Sequence, residues 1–185
     1  MKLKSTTKGT HIALVFLLLL AIFLGCEDHK VSTGAEGNPV FKTIAPSQLF
    51  FKNMRSIYYQ STEDRVNGIN YYIFKQLDTV RSPFYPVIAE NWLHDEAYIL
   101  LRSTKNDAMP IRFVSLKDTV AWQLDSIEDR AANYQFLMTL NQRLLAQESI
   151  VWATSTGERI SIFDNPLARK HFLTVLHDYL RLTNR

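Results

Sequence analysis

The chain lacks most of the short motifs that mark catalytic, metal-binding and phosphate-binding proteins. It has a single cysteine among its 185 residues, so it contains no CxxC pair and cannot form an intramolecular disulfide. The six glycines are scattered, and none belongs to a GxGxxG or GxxxxGK[ST] pattern. HExxH and GxSxG sequences are absent as well. The common signatures of zinc peptidases, nucleotide-binding proteins and serine hydrolases are therefore excluded.

The sequence also has no apolar run long enough to cross a bilayer. Its longest such run, residues 12–24, covers 13 positions, whereas a transmembrane helix needs about 20. Lys2, Lys4 and Lys8 precede the run, and Gly25 follows it. A basic start, an apolar stretch of about 7 to 15 residues and a small residue are typical of a secretory signal peptide.

Residues 1–26 resemble a bacterial lipoprotein signal peptide, with Gly25 before the cut and Cys26 after it. Leu24 departs from the small residue that such signals usually carry before the glycine. The resemblance implies that Cys26 becomes the mature N-terminus and carries the acyl chains, palmitate among them. Each buried CH₂ contributes about 0.8 kcal/mol, so several chains make a permanent membrane anchor.

The implied location is the cell envelope, with the membrane as a partner through lipidated Cys26. Glu27 and Asp28 follow the cysteine directly and resemble a surface-export signal of one group of bacteria. In enteric bacteria an Asp directly after the cysteine resembles an inner-membrane retention signal, and here that position is Glu27. The outer membrane or the cell surface is therefore favoured, and the choice of membrane and leaflet stays open.

Charge gives no reason to expect a nucleic-acid partner. The full chain has 21 basic and 18 acidic residues, a formal net charge of +3. Residues 1–25 hold three lysines and no acid, which leaves 18 basic and 18 acidic residues in the remainder. A nucleic-acid-binding domain usually carries a clear positive excess, so this class is not indicated.

The remaining chain divides into a tether and one domain. Residues 26–45 contain two glycines, a proline and several hydroxyl residues, a composition typical of a flexible linker. A tether of about 20 residues spans roughly 25 Å. Residues 46–185 have the length of one ordinary domain and show no second linker or internal repeat.

The first half of this domain predicts antiparallel strands. Asn67-Gly68 is a strong hairpin turn, because both residues tolerate positive φ, whereas residues 82–86 contain two prolines and predict a loop. A second turn is predicted at 105–107. The predicted strands cover residues 49–60, 69–77, 97–102, 111–116 and 120–124.

The second half predicts two helices separated by a hairpin. Ser126 is the expected N-cap of a helix over residues 127–147, and Asn165-Pro166 starts a second helix that ends near Leu182. Between them, residues 150–153 and 159–163 flank Gly157 as a hairpin. We therefore expect an α+β domain: an antiparallel sheet, built from a meander plus the C-terminal hairpin, covered on one face by two helices.

Candidate catalytic chemistry is sparse. The densest polar cluster, residues 91–96, places His94 and Glu96 on one side of a strand, yet a metal needs at least one more ligand. A polar turn is the simpler interpretation, and residues 154–157 are likewise expected to form a hairpin turn rather than supply a nucleophile. No catalytic residue, metal site or cofactor is assigned. The acids near strand ends leave one alternative open, a hydrolase with carboxyls about 5 to 9 Å apart.

Aromatic residues are concentrated in one part of the chain. Residues 69–77 carry apolar side chains on both faces, and one face of the sheet must lie away from the helices. Tyr72, Phe74 and Trp92 could therefore form an exposed surface for an envelope protein or a glycan, unless the loop at 83–86 covers them. The expected function is binding or scaffolding by a lipid-anchored domain, with an envelope hydrolase acting on glycan or peptide as the alternative.

Overall fold

The structure, a computed structural model, describes residues 41–77, 82–104 and 110–184. Along these residues a short helix precedes six successive strands, and two longer helices follow with a hairpin between them. The predicted α+β class with antiparallel sheets is confirmed, although the strands divide into two sheets. The strands are β1 Tyr59–Asp64, β2 Ile69–Phe74, β3 Phe84–Asn91, β4 Glu96–Ser103, β5 Ile111–Ser115, β6 Ala121–Leu124, β7 Ile150–Ala153 and β8 Arg159–Ile162. The α-helices are α1 Ala45–Phe50, α2 Arg130–Leu145 and α3 Pro166–Leu182.

The first sheet is a meander in the order β1-β2-β3-β4. Gly68 has a φ of +65° in the turn between β1 and β2, as the Asn-Gly pair predicts. The predicted loop at 82–86 is wrong, because β3 begins at Phe84 and includes Pro86. The pairing of β2 with β3 stops at Ile73 and Val87. Pro86 lies beyond the last residues of this pairing, so its missing N–H removes no hydrogen bond between β2 and β3. A strand tolerates proline on such an unpaired side.

The second sheet has the order β6-β5-β7-β8 and contains the predicted C-terminal hairpin. Gly157 has a φ of +84° in the turn between β7 and β8, a conformation that favours glycine. Helix α2 connects β6 to β7. The hairpin therefore does not extend the meander but completes a separate sheet around β5.

The strand predicted over residues 49–60 is wrong. Helix α1 is followed by a π-helical turn, Phe51–Arg55, and a 3₁₀ turn, Ser56–Tyr58. Aromatic and β-branched residues favour a strand locally, but Pro46 occupies the first turn of α1, where its fixed φ suits a helix. Tertiary packing decides the rest, because Phe51 is buried against the ring of Tyr72 at 5.1 Å between centroids.

Helix α2 begins later than predicted. Its N-cap is Asp129, whose carboxylate accepts a hydrogen bond from the Ala132 amide at 2.9 Å. The side-chain amide of Asn133 donates to carbonyls of the preceding turn and accepts from the Leu101 amide of β4 at 2.8 Å. This attachment holds the turn around Ser126 against the sheet edge, so Ser126 lies outside the helix.

Helix α3 follows the prediction closely. Asn165 accepts hydrogen bonds from the amides of Leu167 at 2.8 Å and Ala168 at 3.4 Å, and the helix ends at Leu182. Leu167 is exposed, and the stripe that faces the core starts at Ala168.

The main core lies among the two sheets, α2 and α3. A smaller cluster of Ala89, Tyr98 and Leu100 occupies the opposite face of the first sheet, where Phe41 packs on it. The Ala97 amide donates to the Phe41 carbonyl at 2.9 Å. Residues 41–45, predicted as the end of the tether, therefore belong to the folded body.

None of the helices within the described ranges has the length and apolar content that a membrane span requires. The predicted signal peptide, with Gly25 and Cys26, lies outside the described residues, as does the tether up to residue 40. The turn predicted at 105–107 lies outside them too.

Candidate binding groove along α3

An open groove of about 940 Å³ runs along the exposed side of α3. Its apolar lining comes from three parts of the chain: Phe50 at the end of α1, Leu144 and Leu145 at the end of α2, and Leu173 on α3. Phe50 and Leu145 lie on different elements that α3 brings together. The groove therefore exists only in the folded domain and has no counterpart in a single sequence segment.

Polar residues form a row on α3 beside this apolar lining. Lys170, Thr174, His177 and Arg181 follow each other at intervals of four, three and four, which places them on one helix face. With a rise of about 1.5 Å per residue, the row is roughly 16 Å long. The same helix turns its buried stripe toward the core, so the row is the solvent side of an amphipathic helix.

The wall near Arg181 is held by a buried ion pair. Asp178 is almost fully buried, and its oxygens accept hydrogen bonds from Arg55 at 2.8 to 3.0 Å and from the Tyr59 hydroxyl at 2.6 Å. The bond to Asp178 raises the pKa of Arg55. Burial, and then the bond to Asp178, raises the pKa of Tyr59 well above its ordinary value. The positive charge of Arg55 is therefore already paired with the carboxylate of Asp178 without a ligand.

Two other arginines of the groove have different roles. Arg169 donates to the carbonyls of Phe163, Leu144 and Glu148 at 3.1 to 3.5 Å, which ties the start of α3 to the end of α2. Arg181 lies over the Phe50 ring, with its guanidinium carbon 3.6 Å from the ring centroid, a cation–π contact. Arg169 therefore builds the wall, whereas Arg181 is presented to solvent on an aromatic platform.

The lining is positive overall. Four cations, two of them Lys170 and Arg181, face two acids, Asp164 and Asp178. His177 is largely exposed, with its Nδ1 4.0 Å from an Asp178 oxygen, and adds charge only when protonated. The arrangement suits an anionic ligand with apolar parts.

The three aromatic residues predicted as a partner surface are not on one surface. Tyr72 and Phe74 are each only 6% exposed, whereas Trp92 is 44% exposed. Tyr72 is paired with Ile88 across the sheet and lies on the face that joins the main core. The predicted exposure of Tyr72 and Phe74 is therefore wrong, because their face of β2 is the one that packs into the main core.

Tyr72 has a specific partner in the core. Its hydroxyl donates to Glu90 at 2.9 Å, and the Lys52 ammonium lies 2.9 Å from the other Glu90 oxygen. Burial, and then the Glu90 charge, raises the pKa of Tyr72 above its ordinary value. Tyr72 therefore has a structural role in this fold.

The polar cluster at 91–96 forms the predicted turn. His94 Nδ1 lies 3.2 Å from Asn91 Oδ1, and Glu96 accepts from the Tyr98 hydroxyl and pairs with Lys42 at 3.2 Å. Trp92, in the same turn, is largely exposed to solvent.

The other candidate chemical groups have local structural partners. Thr154 accepts from the Glu158 amide at 3.0 Å and contacts Thr156 at 2.8 Å, as expected for a hairpin turn. Asp118 pairs with Arg143 at 3.1 Å. Within the described ranges, no group of three or more histidine, cysteine or acidic side chains is placed to hold a metal ion.

A smaller cavity of about 250 Å³ lies on the outer face of the first sheet. Its polar lining includes Arg130, which lies over the Tyr98 ring at 4.0 Å and donates to its hydroxyl at 2.7 Å. This cation already has a partner, so the α3 groove remains the stronger candidate site.

Sequence reasoning missed the groove because its residues are far apart in the chain. The row from Lys170 to Arg181 could have been found, since its spacing is complementary to the predicted buried stripe. The contribution of Phe50 could not have been found, because the sequence predicts a strand at that position.

No protein-family model matches the chain, and no curated protein or solved structure matches it either.

Proposed function

We propose that the protein is a lipid-anchored protein of the bacterial envelope whose folded domain binds a partner in the α3 groove. The observation that carries the binding role is the groove itself, open, with an apolar lining and a row of polar residues that begins and ends with the exposed cations Lys170 and Arg181. The anchor rests on the lipoprotein-like pattern of residues 1–26, with Cys26 as the acylated residue and the outer membrane or cell surface as the favoured location.

The hydrogen bonds already made by Asp178, the buried acid of the groove, support binding over hydrolysis. A general acid or nucleophile needs an oxygen within reach of its substrate. Both oxygens of Asp178, the buried acid of the groove, are already engaged by Arg55 and Tyr59. Elsewhere, Asp129 caps α2, and Glu148 accepts from Ser115 and Arg143 at 2.8 Å.

The anchor is tested by mass spectrometry of the protein extracted from cells. We expect an N-terminal peptide that starts at Cys26 with the mass of its acyl chains, and release of a Cys26→Ala variant from the membrane fraction. An unmodified thiol at Cys26, or an intact N-terminal methionine, would overturn the proposed location.

The groove is tested by site-specific photocrosslinking in native membranes. A benzoylphenylalanine at Leu145 would sit in the groove, and one at Leu116 is the matched control, since both leucines are exposed and Leu116 lies outside the groove. We expect a discrete adduct from position 145 that is absent from position 116. Identical adducts from both positions, or none from position 145, would contradict binding in the groove.

A further inference from the structure

We infer that the occupant of the α3 groove is an acidic amphipathic helix of a partner protein. Its apolar side chains would lie on Leu145 and Leu173, and its carboxylates would face Lys170 and Arg181. This inference rests on the proposed binding function and specifies the chemistry of the partner.

The shape of the groove favours an elongated, partly exposed occupant. Sites for small molecules usually enclose most of their ligand in about 300 to 1,000 Å³. The α3 groove is at the upper end of that range, at about 940 Å³, yet it is partly open to solvent. A helix laid into an apolar groove fits this form, because it buries one face and leaves the other in water.

The exposed apolar side chains give such a helix something to bury. Leu145, the last residue of α2, is largely exposed, although the preceding Leu144 is fully buried. Leu173 is half-buried and Phe50 lies beneath the Arg181 guanidinium. Leu145 and Leu173 therefore leave apolar surface that the apolar face of an amphipathic helix could cover.

The charges select an acidic partner. Of the four lining cations, Arg55 is matched by Asp178, and Arg169 is bonded to backbone carbonyls. Lys170 and Arg181 form no ion pair with an acid among residues 41–77, 82–104 and 110–184. They lie at the two ends of a row roughly 16 Å long, about the length of three helical turns. Acidic side chains spaced by about 11 residues on a partner helix would meet both.

The Arg181 side chain is prepared for this contact. Its guanidinium carbon lies over the Phe50 ring, and this contact restricts its rotamers before a carboxylate binds. A cation ordered in this way loses less conformational entropy on binding. Phe50 is held in turn by the π-helical turn, whose Arg55 is bonded to Asp178.

The test uses three synthetic amphipathic peptides of equal length and apolar face, bearing glutamates, lysines or glutamines on the polar face. Binding to the full acylated protein in neutral-lipid nanodiscs is measured by fluorescence anisotropy. We expect the glutamate peptide to bind at least tenfold more tightly than the lysine peptide, and the difference to shrink as salt is added. Equal affinity of the two charged peptides, or no binding of any peptide, would overturn the inference.

Charge reversal locates the contact. Lys170→Glu and Arg181→Glu should each weaken the glutamate peptide at least fivefold. Arg159→Glu is the control, because it makes the same charge change at an exposed site outside the groove. The milder Lys170→Ala, with circular dichroism melting, separates loss of binding from loss of folding. Equal losses in all three charge-reversal variants would contradict contact in the groove.

Anionic vesicles of phosphatidylglycerol test the competing occupant, a membrane surface. Vesicle binding that Lys170→Glu abolishes, without preference for the acidic peptide, would overturn the inference in favour of lipid. If Lys170→Glu and Arg181→Glu both leave the adduct at position 145 unchanged, the inference of an acidic partner is overturned and the proposed function is retained. Absence of any adduct there would remove the proposed function itself.

Discussion

Two buried carboxylates, one on α3 and one on β3, are accommodated by the same means in different parts of the fold. Asp178 and Glu90 each accept a hydrogen bond from a tyrosine hydroxyl and pair with a cation. Both cations, Arg55 and Lys52, come from the π-helical turn after α1. One five-residue turn therefore attaches the N-terminal segment to a helix and to a sheet at once.

The two pairs differ in geometry and in what lies beside them. Arg55 is bidentate on Asp178 and 26% exposed, whereas Lys52 approaches one oxygen of Glu90 and is 45% exposed. Asp178 is also near the C-terminus of α3, where the helix dipole disfavours an acid. Its pair with Arg55 holds the segment that carries Phe50 to the groove. The α3 pair differs from the β3 pair in its place at the binding site, because Arg55 and Asp178 line the groove and Lys52 and Glu90 do not.

The largest effect is expected from Asp178→Ala. Removing one partner of a buried, hydrogen-bonded ion pair costs about 3 to 5 kcal/mol, because Arg55 and the Tyr59 hydroxyl lose their acceptor. Urea unfolding at pH 7 measures the loss. Asp178→Asn keeps the shape without the charge and should fall between wild type and Asp178→Ala. A loss below about 1 kcal/mol would show that the pair behaves as a surface ion pair.

Glu90→Ala should cost less, about 2 kcal/mol, since the main penalty is one buried hydroxyl of Tyr72 left without an acceptor. Lys52 can turn to solvent because its side chain is nearly half exposed. The same unfolding measurement applies, and the double variant Glu90→Ala with Tyr72→Phe should recover part of the loss. Binding of the glutamate peptide, measured as above, should be retained in Glu90→Ala and weakened in Asp178→Ala. Equal binding losses would remove the distinction between the two pairs.

Alkaline titration compares the two tyrosines directly. Burial raises the pKa of both Tyr59 and Tyr72 above the usual value near 10, so both stay protonated where exposed tyrosines ionise. A phenol with a raised pKa contributes stability that is complete below about pH 10 and is lost as the pH rises toward its folded pKa. Absorbance at 295 nm should show a late phase that Tyr59→Phe and Tyr72→Phe each reduce. Titration of all the tyrosines in one phase near pH 10 would contradict their burial.

The α+β class, the C-terminal hairpin and the limits of α3 could be predicted because each depends on local signals. Asn165-Pro166 and Gly157 act through their own backbone conformations. The π-helical turn could not be predicted, because the aromatic and β-branched residues in and around it favour a strand. Distant contacts override this preference: Phe51 packs on Tyr72, and Arg55 pairs with Asp178, 123 residues further along the chain.

The groove could not be predicted from the sequence for the same reason. Its row of polar residues on α3 follows a simple helical spacing, but most of the apolar side of the groove is assembled from α1 and α2. The face of β2 that is buried was also undecidable locally, since Tyr72 and Tyr71 are both aromatic and only the sheet's position relative to the helices separates them.

A third group of one tyrosine, one acid and one cation lies nearer the surface and extends the comparison. Glu96 accepts from the Tyr98 hydroxyl and pairs with Lys42, but its side chain is 27% exposed and that of Lys42 is 62% exposed. The bond from Tyr98, followed by the contact with Lys42, lowers the pKa of Glu96. Burial, with the bond to Glu96, raises that of Tyr98 to about 12.

A carboxylate with a lowered pKa contributes stability that is present above its ordinary value, near 4.5, and is lost as the pH falls through its folded pKa. Glu96→Gln should therefore flatten the loss of stability below pH 4.5 while changing stability at pH 7 by less than about 1 kcal/mol, as expected for exposed ion pairs. Urea unfolding at pH 7 and pH 3.5 measures both values. A loss at pH 7 as large as that of Asp178→Ala would mean that burial is not what separates the three sets, since tyrosine, acid and cation are common to all of them.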